Sequence, residues 1–390
     1  MRFGISVYPE QESEQELEAY LRLAAKHGFT SVFTSMFSVD EPAPELLARF
    51  ERLAALIHEL GMTVTIDANP MLFEKVGATA DNLEPFHRIG IDGIRMDMPY
   101  SDERNNQLLQ NPYGITIEFS TMMFDMVDAA VDWEKAVGRM TTCHNFYPQR
   151  YTAASREAYL EMNRAWAGKN VPIEVFITSQ NPDARGPWPV RDGLPTIEET
   201  RDMPVELQVR YIDLLGGADL VLLGNEPATE EEFEAIEHVM KAIEPVPGDP
   251  TDAGEFSIEN LIKPRPGARR TLLHVELEPD VTELERKIMA FDNHVNGGDG
   301  TEYMLRSRMT RMLYRNDVIE PRPCDKDVFH RGDVLIVNDN LKHYAAELQI
   351  VLKDMKNDGQ RNYIGRIAPS EQFLLDLIEP GIICTLEAAE

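Results

Sequence analysis

Three carboxylates stand at or near the ends of successive apolar segments: Asp67, Asp97 and Glu118. Glycoside cleavage needs two carboxyl groups that flank one bond, about 5 Å apart for retention of configuration and roughly 6.5 to 9.5 Å apart for inversion. Carboxyl groups buried together also separate their pKa values, which provides one acid and one base. The three residues therefore indicate glycosidase chemistry. The alternative is structural, because an Asp at a strand end often caps a helix or pairs with an arginine such as Arg95.

A polar and aromatic stretch, residues 144–150, directly follows another apolar segment. His144 and Asn145 could bind the hydroxyl or acetamido groups of a sugar, Tyr147 could stack on its ring, and Arg150 could bind an anion. We interpret this stretch as a substrate platform. A histidine that only satisfies core hydrogen bonds, followed by a Tyr-Pro turn, is the alternative.

Arginines are the candidates for binding a phosphate. The chain has no glycine-rich phosphate loop, and the helix after the eighth apolar segment begins with Glu230, Glu231 and Glu232, which already occupy the positive end of its dipole. A phosphate must therefore be held by side chains. The candidates are Arg150, Arg185, Arg306 and Arg308. A solvated surface position is the alternative for each.

Hydroxyl groups also stand where apolar segments end, at Ser6, Tyr8 and Ser35, and we predict that these residues and Arg95 bind substrate. No lysine stands at any of these ends, which argues against a Schiff-base aldolase. Asp97, Glu118 and His144 could form a divalent metal site of the isomerase type, but their spacing does not require one. We therefore predict that the site has no metal.

Eight short apolar segments, most of them followed by an amphipathic stretch of helical period, must position these residues. The predicted strands are 3–7, 31–37, 63–68, 93–97, 114–120, 140–146, 173–177 and 220–223. Eight strand-helix units in about 240 residues favour a (β/α)₈ TIM barrel, with an open doubly wound sheet as the alternative. In such a barrel the catalytic residues lie at the carboxyl-terminal ends of the strands.

The helical periodicity of the sequence ends after Ile243. Residues 245–267 are rich in Pro and Gly and are predicted to be a linker, so the α/β barrel should occupy residues 1–244. Residues 268–390 contain separate β-rich segments joined by turns, which predicts a smaller, mainly β domain that forms a small barrel.

The composition excludes several classes of partner. The 390 residues carry a formal charge of −29, and no dense basic run is present, so neither nucleic acid nor an anionic membrane surface is an expected partner. The three cysteines are too few for a disulfide framework, and the amino terminus lacks an apolar signal region. We therefore expect a cytoplasmic protein, and a homodimer remains open.

Several motifs together resemble one family. They are residues 4–8, 33–35, 90–97, 144–148, 185–187, 192–196 and 332–339. In their order along the whole chain they are similar to the 6-phospho-N-acetylmuramidase family, formerly called outer surface proteins. The resemblance implies a (β/α)₈ barrel followed by a cyclophilin-like β-barrel domain.

The resemblance also implies a function. A family member would be a cytoplasmic glycosidase of peptidoglycan recycling that hydrolyses the bond between 6-phospho-N-acetylmuramic acid and N-acetylglucosamine, without a cofactor. Its partner would be this small phosphorylated disaccharide. Asp97 and Asp67 would then be the leading acid, base or nucleophile candidates. A metal-dependent sugar-phosphate isomerase or epimerase and a non-catalytic carbohydrate-binding protein remain the alternatives.

Overall fold

The computed structural model describes residues 1–36, 41–136, 138–188, 191–251, 260, 262–297 and 301–389. The chain divides into two compact units, Met1–Glu237 and His238–Glu390. The predicted second strand included Phe37, which lies outside the described residues, as does part of the predicted linker.

The first unit contains a closed barrel of eight parallel strands, in which each strand pairs with the next and β8 pairs with β1. The strands are β1 Arg2–Val7, β2 Ser31–Ser35, β3 Thr63–Ala68, β4 Gly93–Met96, β5 Thr116–Ser120, β6 Met140–Cys143, β7 Ile173–Ile177 and β8 Leu220–Leu223. The prediction of a (β/α)₈ barrel is confirmed, and the open sheet is excluded.

Helices follow the strands around this barrel. They are α1 Glu14–Lys26, α2 Ala43–Glu59, α3 Pro70–Val76, α4 Glu84–Arg88, α5 Arg104–Leu109, α6 Phe124–Ala130, α7 Trp133–Ala136, α8 Arg156–Ala167, α9 Val205–Leu215 and α10 Glu230–Ile243. Short 3₁₀ segments cover Thr121–Met123 and Glu198–Thr200.

Local sequence signals fix where several helices begin. Ser13 and Glu16 form a capping box at the start of α1, in which each side chain satisfies a backbone N–H of the other. Asn69, directly after β3, accepts a hydrogen bond from the backbone N–H of Leu72 and caps α3. Asn69 therefore has a structural role at the strand end.

The barrel interior is filled by apolar side chains toward its middle. Phe33, Cys143, Phe176, Leu220 and Leu222 form one buried cluster, against which Phe146 packs. A Cβ atom at Gly4 would lie 2.5 Å from the carbonyl oxygen of Ser31, so only glycine allows β1 and β2 to approach this closely. The interior is a packed core rather than a channel.

Four strands are shorter than predicted: β2 ends at Ser35, β4 ends at Met96, and β5 and β6 are shortened for identifiable reasons. β5 begins at Thr116 because the side chain of Asn111 accepts hydrogen bonds from the N–H groups of Tyr113 and Ile115 and holds a turn there. β6 ends at Cys143, and the chain leaves the sheet so that the Tyr147 N–H can donate to the Pro195 carbonyl.

The second unit is mainly β. Its strands are β9 Arg270–Leu277, β10 His294–Val295, β11 Met304–Ser307, β12 Val328–Phe329, β13 Asp333–Val337, β14 Leu348–Val351, β15 Met355–Lys356, β16 Arg361–Ile367 and β17 Ile383–Ala388. Its helical segments are Glu283–Met289, Thr310–Leu313, Asp339–Tyr344 and Pro369–Leu377.

Seven of these strands form a mixed sheet in the order β10-β17-β9-β16-β13-β14-β11, while β12 pairs with β15. The two edge strands approach each other, since His294 Nδ1 on β10 lies 2.7 Å from Ser307 Oγ on β11. The sheet is therefore nearly closed, and the prediction of a mainly β second domain is confirmed. Its cyclophilin-like character stays a prediction.

Within the described residues, no helix is both long enough and apolar enough to cross a lipid bilayer.

Candidate active site

Arg95, on β4, lies at the centre of the three predicted carboxylates and is only 5% exposed. Its Nη1 donates a hydrogen bond to Asp67 Oδ1 at 3.0 Å and lies 4.0 Å from Asp97 Oδ1. Its Nε lies 3.4 Å from Glu118 Oε1. The structure therefore brings Asp67, Asp97 and Glu118 together around one guanidinium group.

The register of three neighbouring strands explains this convergence. Asp67 on β3 pairs with Arg95 on β4, which in turn pairs with Glu118 on β5. Paired residues of a parallel sheet project to the same face, so all three side chains point into the barrel. Asp97 follows Arg95 by two residues just beyond the end of β4, and its side chain is 47% exposed.

Asp67 is a buried carboxyl group at the carboxyl-terminal end of β3. Burial raises its pKa to about 6, since desolvation disfavours the charged form, while Arg95 opposes that change and Asp97 reinforces it. Such a group can still hold its proton in mildly acidic solution. Asp67 therefore has the properties of a general acid.

Asp67 and Asp97 are close enough to act on one bond. Because their Oδ1 atoms lie 3.0 and 4.0 Å from the same Arg95 nitrogen, these oxygens are at most about 7 Å apart, within the range found in glycosidases. The pair thus consists of one buried acid and one carboxylate that reaches solvent.

Glu118 faces a second buried carboxyl group, Glu174 on β7, which the sequence analysis missed. The ligand atoms of Glu118, Glu174 and Cys143 lie within 4.8 Å of one another. Burial and the neighbouring Glu174 raise the pKa of Glu118 well above its usual value, and burial also raises that of Glu174. Burial and the neighbouring carboxyl group therefore both favour the neutral form of Glu118.

The same three residues are, within the described part of the chain, the group of side chains close enough to hold a metal ion. Burial also raises the pKa of the Cys143 thiol, and the cationic Arg95 lies beside Glu118. The raised pKa values of these three groups and the neighbouring cation disfavour a divalent metal at this position.

Asn145 extends the Arg95 network toward the predicted platform. Its Oδ1 accepts hydrogen bonds from Arg95 Nη2 and from Ser120 Oγ. Its Nδ2 lies 3.5 Å from the sulfur of Met122, which also accepts a hydrogen bond from the hydroxyl of Tyr147. Asn145 and Tyr147 therefore stand beside the carboxylates.

His144, in contrast, points away from the carboxylates and is 1% exposed. Its Nε2 lies 2.6 Å from Asn163 Oδ1, and its Nδ1 lies 3.1 Å from Thr121 Oγ1. Burial lowers the pKa of His144 to about 4, so the ring is neutral at physiological pH. Both ring nitrogens are engaged, and the structure does not direct either of them to Asp97 or Glu118.

Ser6, Tyr8 and Ser35 are all buried near the ends of β1 and β2. Ser35 pairs in register with Asp67. The Tyr8 hydroxyl donates to the Gly224 carbonyl at 2.6 Å, and its backbone N–H donates to Glu226 Oε1 at 2.5 Å. Tyr8 therefore links the end of β1 to the segment that follows β8 through two hydrogen bonds.

Glu226 is a second carboxyl group that was not among the predicted site residues. It is completely buried, and its Oε2 has no hydrogen-bond partner among the described residues. Burial and the nearby Glu12 raise its pKa well above the usual range. Its position directly after the eighth strand was the signal in the sequence.

The two predicted phosphate ligands of the first unit both donate hydrogen bonds to carboxylates. Arg150 donates two hydrogen bonds to Asp202, at 2.7 and 3.0 Å. Arg185 donates to Glu12 Oε1 at 3.2 Å and to the Gln11 carbonyl at 2.9 Å. A phosphate would have to replace these partners.

Arg306 and Arg308 belong to the second unit. Arg306, on β11, donates hydrogen bonds to both carboxylate oxygens of the fully buried Glu347, at 2.7 and 3.0 Å. Arg308 follows β11 and lies beside Gly297. Their role in substrate binding stays a prediction.

A separate cavity of about 700 Å³ lies between the segment after β1 and α2. Its charged lining consists of Glu10, Glu12, Glu14, Glu18, Glu41, Arg49 and Arg52. With five acids against two arginines, this cavity would repel an anionic ligand. The carboxylates around Arg95 do not line it.

The N-terminal profile of the 6-phospho-N-acetylmuramidase family matches residues 3–238, and the C-terminal profile of the same family matches residues 271–387. The chain belongs to the 6-phospho-N-acetylmuramidase family. The comparison with curated proteins gives no match.

Two solved structures share the fold over the full length of this 6-phospho-N-acetylmuramidase family member. An uncharacterized B. cereus protein is 29% identical, with a TM-score of 0.81, and the match covers 100% of this chain and 99% of that one. A conserved Enterococcus faecalis protein of unknown function is 22% identical, with a TM-score of 0.68, over 100% and 96% of the two chains. The family name supports a glycosidase role, and the Arg95 site lies in the part matched by the N-terminal profile.

Proposed function

We propose that this protein hydrolyses the glycosidic bond between 6-phospho-N-acetylmuramic acid and N-acetylglucosamine, in the cytoplasmic recycling of peptidoglycan sugars. The observation that carries the proposal is the pairing of Asp67 and Asp97 on a single nitrogen of Arg95. One carboxyl group is buried with a raised pKa and the other is exposed, which is the asymmetry that glycoside cleavage uses.

In this mechanism Asp67 is the general acid. Its proton passes to the glycosidic oxygen as the bond to the anomeric carbon breaks, so that N-acetylglucosamine leaves as a neutral alcohol. Arg95 then stabilises the Asp67 carboxylate that forms, through the existing 3.0 Å hydrogen bond.

Asp97 is the group that acts at the anomeric carbon. In a retaining reaction its carboxylate attacks that carbon and is later released by water; in an inverting reaction it removes a proton from the attacking water. The anomeric configuration of the first-formed product, read by proton NMR, distinguishes the two.

The burial of Glu118 between Arg95 and Glu174 gives it a positioning role in this proposal. Glu118 lies against Arg95 Nε, deeper in the barrel than the exposed Asp97. It therefore supports the guanidinium that orients Asp67. Arg185, Arg306 and Arg308 remain the proposed ligands of the phosphate and the lactyl carboxylate, whereas the charge of Arg150 is already neutralised by Asp202.

The test is incubation of the purified protein with the 6-phosphorylated disaccharide and measurement of released N-acetylglucosamine. We expect turnover of this compound and at least a hundredfold lower rate on the unphosphorylated disaccharide. Binding without hydrolysis would favour a carbohydrate-binding protein. Activity that is restored only by added divalent metal after chelation would favour the isomerase or epimerase class.

A further inference from the structure

Tyr151 combines an exposed ring with an unusual backbone conformation. Its side chain is 85% exposed, and its φ angle is 69°, in the left-handed region that bulky residues rarely adopt. Water does not favour an exposed aromatic ring, and the backbone conformation would favour glycine at this position. Neither feature stabilises the fold, so the tyrosine ring requires another explanation.

A partly buried ion pair maintains this conformation. The carboxylate of Glu198 accepts hydrogen bonds from the N–H groups of Tyr151 and Ala153, at 2.8 and 3.0 Å. Arg201, which is 3% exposed, donates to both oxygens of Glu198, at 2.8 and 2.7 Å. The surrounding structure therefore determines where the ring stands.

Arg201 also joins two loops at the carboxyl-terminal end of the barrel. It donates to the carbonyl groups of Tyr147 and Gln149 in the loop after β6, and to that of Asp192 in the loop after β7. The loop that carries Tyr151 also carries Asn145, whose side chain binds Arg95. The exposed ring thus belongs to a loop whose backbone is held by Arg201 and Glu198 and whose Asn145 reaches the carboxylates.

The charges beside the ring indicate which part of a substrate would fit. Arg150, next to Tyr151, is neutralised by two hydrogen bonds to Asp202 and lies 3.7 Å from Asp192. The charge of Arg150 is therefore already engaged and is not free to attract a phosphate. An aromatic ring with neutral polar surroundings fits the apolar face of an uncharged pyranose.

We propose that Tyr151 is the platform for the uncharged amino sugar on the leaving-group side of the scissile bond, and that the Arg201–Glu198 pair positions it. This inference rests on the proposed function. In this orientation of the substrate, the phosphorylated sugar points away from the loop after β6.

The experiment measures binding of N-acetylglucosamine by NMR titration, and the KM for the phosphodisaccharide, in Tyr151→Ala, Tyr151→Gly and Tyr151→Phe. Loss of ring stacking should weaken N-acetylglucosamine binding and raise KM by roughly threefold to tenfold in the Ala and Gly variants. Tyr151→Phe retains the ring and should stay within about twofold of the parent. Tyr113→Ala, in the loop before β5 at the opposite end of the barrel, is the control for loss of a tyrosine ring, although this ring also contacts His87 and its hydroxyl donates to Asn82.

Tyr151→Gly separates this role from a structural one. Glycine relieves the left-handed strain, so the variant should unfold at a higher temperature while it binds the sugar more weakly. Unchanged binding and KM in both the Ala and Gly variants would overturn the inference. Since the titration requires no turnover, it also tests the platform if hydrolysis itself is not observed: absence of N-acetylglucosamine binding by the unsubstituted protein would overturn the platform, whereas binding without hydrolysis would contradict only the proposed reaction.

Discussion

Asp67 and Arg95 face each other across β3 and β4, with 3.0 Å between Oδ1 and Nη1, in a part of the barrel where both side chains are almost fully buried. The guanidinium lowers the pKa of Asp67, yet burial outweighs it and leaves the value near 6. The pair therefore holds a proton in mildly acidic solution and can stabilise the carboxylate after the proton has left.

Asp97→Asn should lower kcat at least a hundredfold, because the exposed carboxylate is the group that acts at the anomeric carbon. The free energy of unfolding should change by less than about 0.5 kcal/mol, since the side chain is half-exposed. Asp102→Asn, an exposed aspartate in the same loop that pairs with Arg104, is the control and should retain full activity. Severe unfolding of the Asp97 variant, with activity retained in the folded fraction, would instead make Asp97 structural.

The activity should fall as the pH rises above about 6, because Asp67 must carry its proton to act as the acid. In the limiting case kcat/KM falls about tenfold for each further pH unit. Asp67→Asn should remove this alkaline limb along with most of the activity. A parent profile that stays flat from pH 5.5 to 8 would exclude Asp67 as the essential acid.

Stability should also decrease as the pH rises. Asp67 has a higher pKa in the folded state than its ordinary value of 3.8, so the folded protein binds more protons than the unfolded chain, and stability falls as pH rises through about 6. The total effect is about 3 kcal/mol, with roughly 1 kcal/mol of it between pH 5 and 7. Burial of Glu118 and Glu226 acts in the same direction.

Urea unfolding at pH 5 and pH 7 measures this effect. The loss of unfolding free energy between the two values should be smaller in Asp67→Asn and in Glu226→Gln than in the parent protein, because each substitution removes one of the protons concerned. Equal losses in all three proteins would show that these carboxyl groups are ionised in the folded state.

Glu118→Gln should retain kcat within about threefold, since glutamine imitates the protonated acid and can still donate to Glu174. Glu118→Ala should instead lower the free energy of unfolding by about 2–4 kcal/mol, because it leaves a cavity and removes the carboxyl group from Arg95 Nε. Kinetics on the phosphodisaccharide, together with urea unfolding, check both variants. A hundredfold loss of kcat in the Gln variant would show that Glu118 is a catalytic residue.

The barrel and the position of Asp67, Arg95 and Glu118 could be predicted because strand ends and their order are visible in the sequence. The place of Glu174 in the site could not be predicted. Glu174 approaches Glu118 across β6 only because the barrel closes, and local sequence patterns do not show which strands come together in this way. A single acid within the apolar run of β7 was the available signal.

The direction in which the His144 side chain points could not be predicted from the sequence either. Side chains alternate beyond β6, so Cys143 and Asn145 face the barrel interior while His144 faces the helix that carries Asn163. The sequence places His144 and Asn145 side by side at the site, and only the strand geometry separates them. The partners of Arg150 and Arg185 lie in other loops and were hidden for the same reason.

The buried, protonated carboxyl groups have a consequence for calorimetry. When the chain unfolds near pH 5, Asp67, Glu118 and Glu226 become exposed to water and release protons to the buffer. The apparent heat of unfolding will therefore include the ionisation heat of the buffer, and it should differ between buffers of different ionisation enthalpy at the same pH. The slope of that heat against the buffer's ionisation enthalpy gives the number of protons that the protein releases when it unfolds.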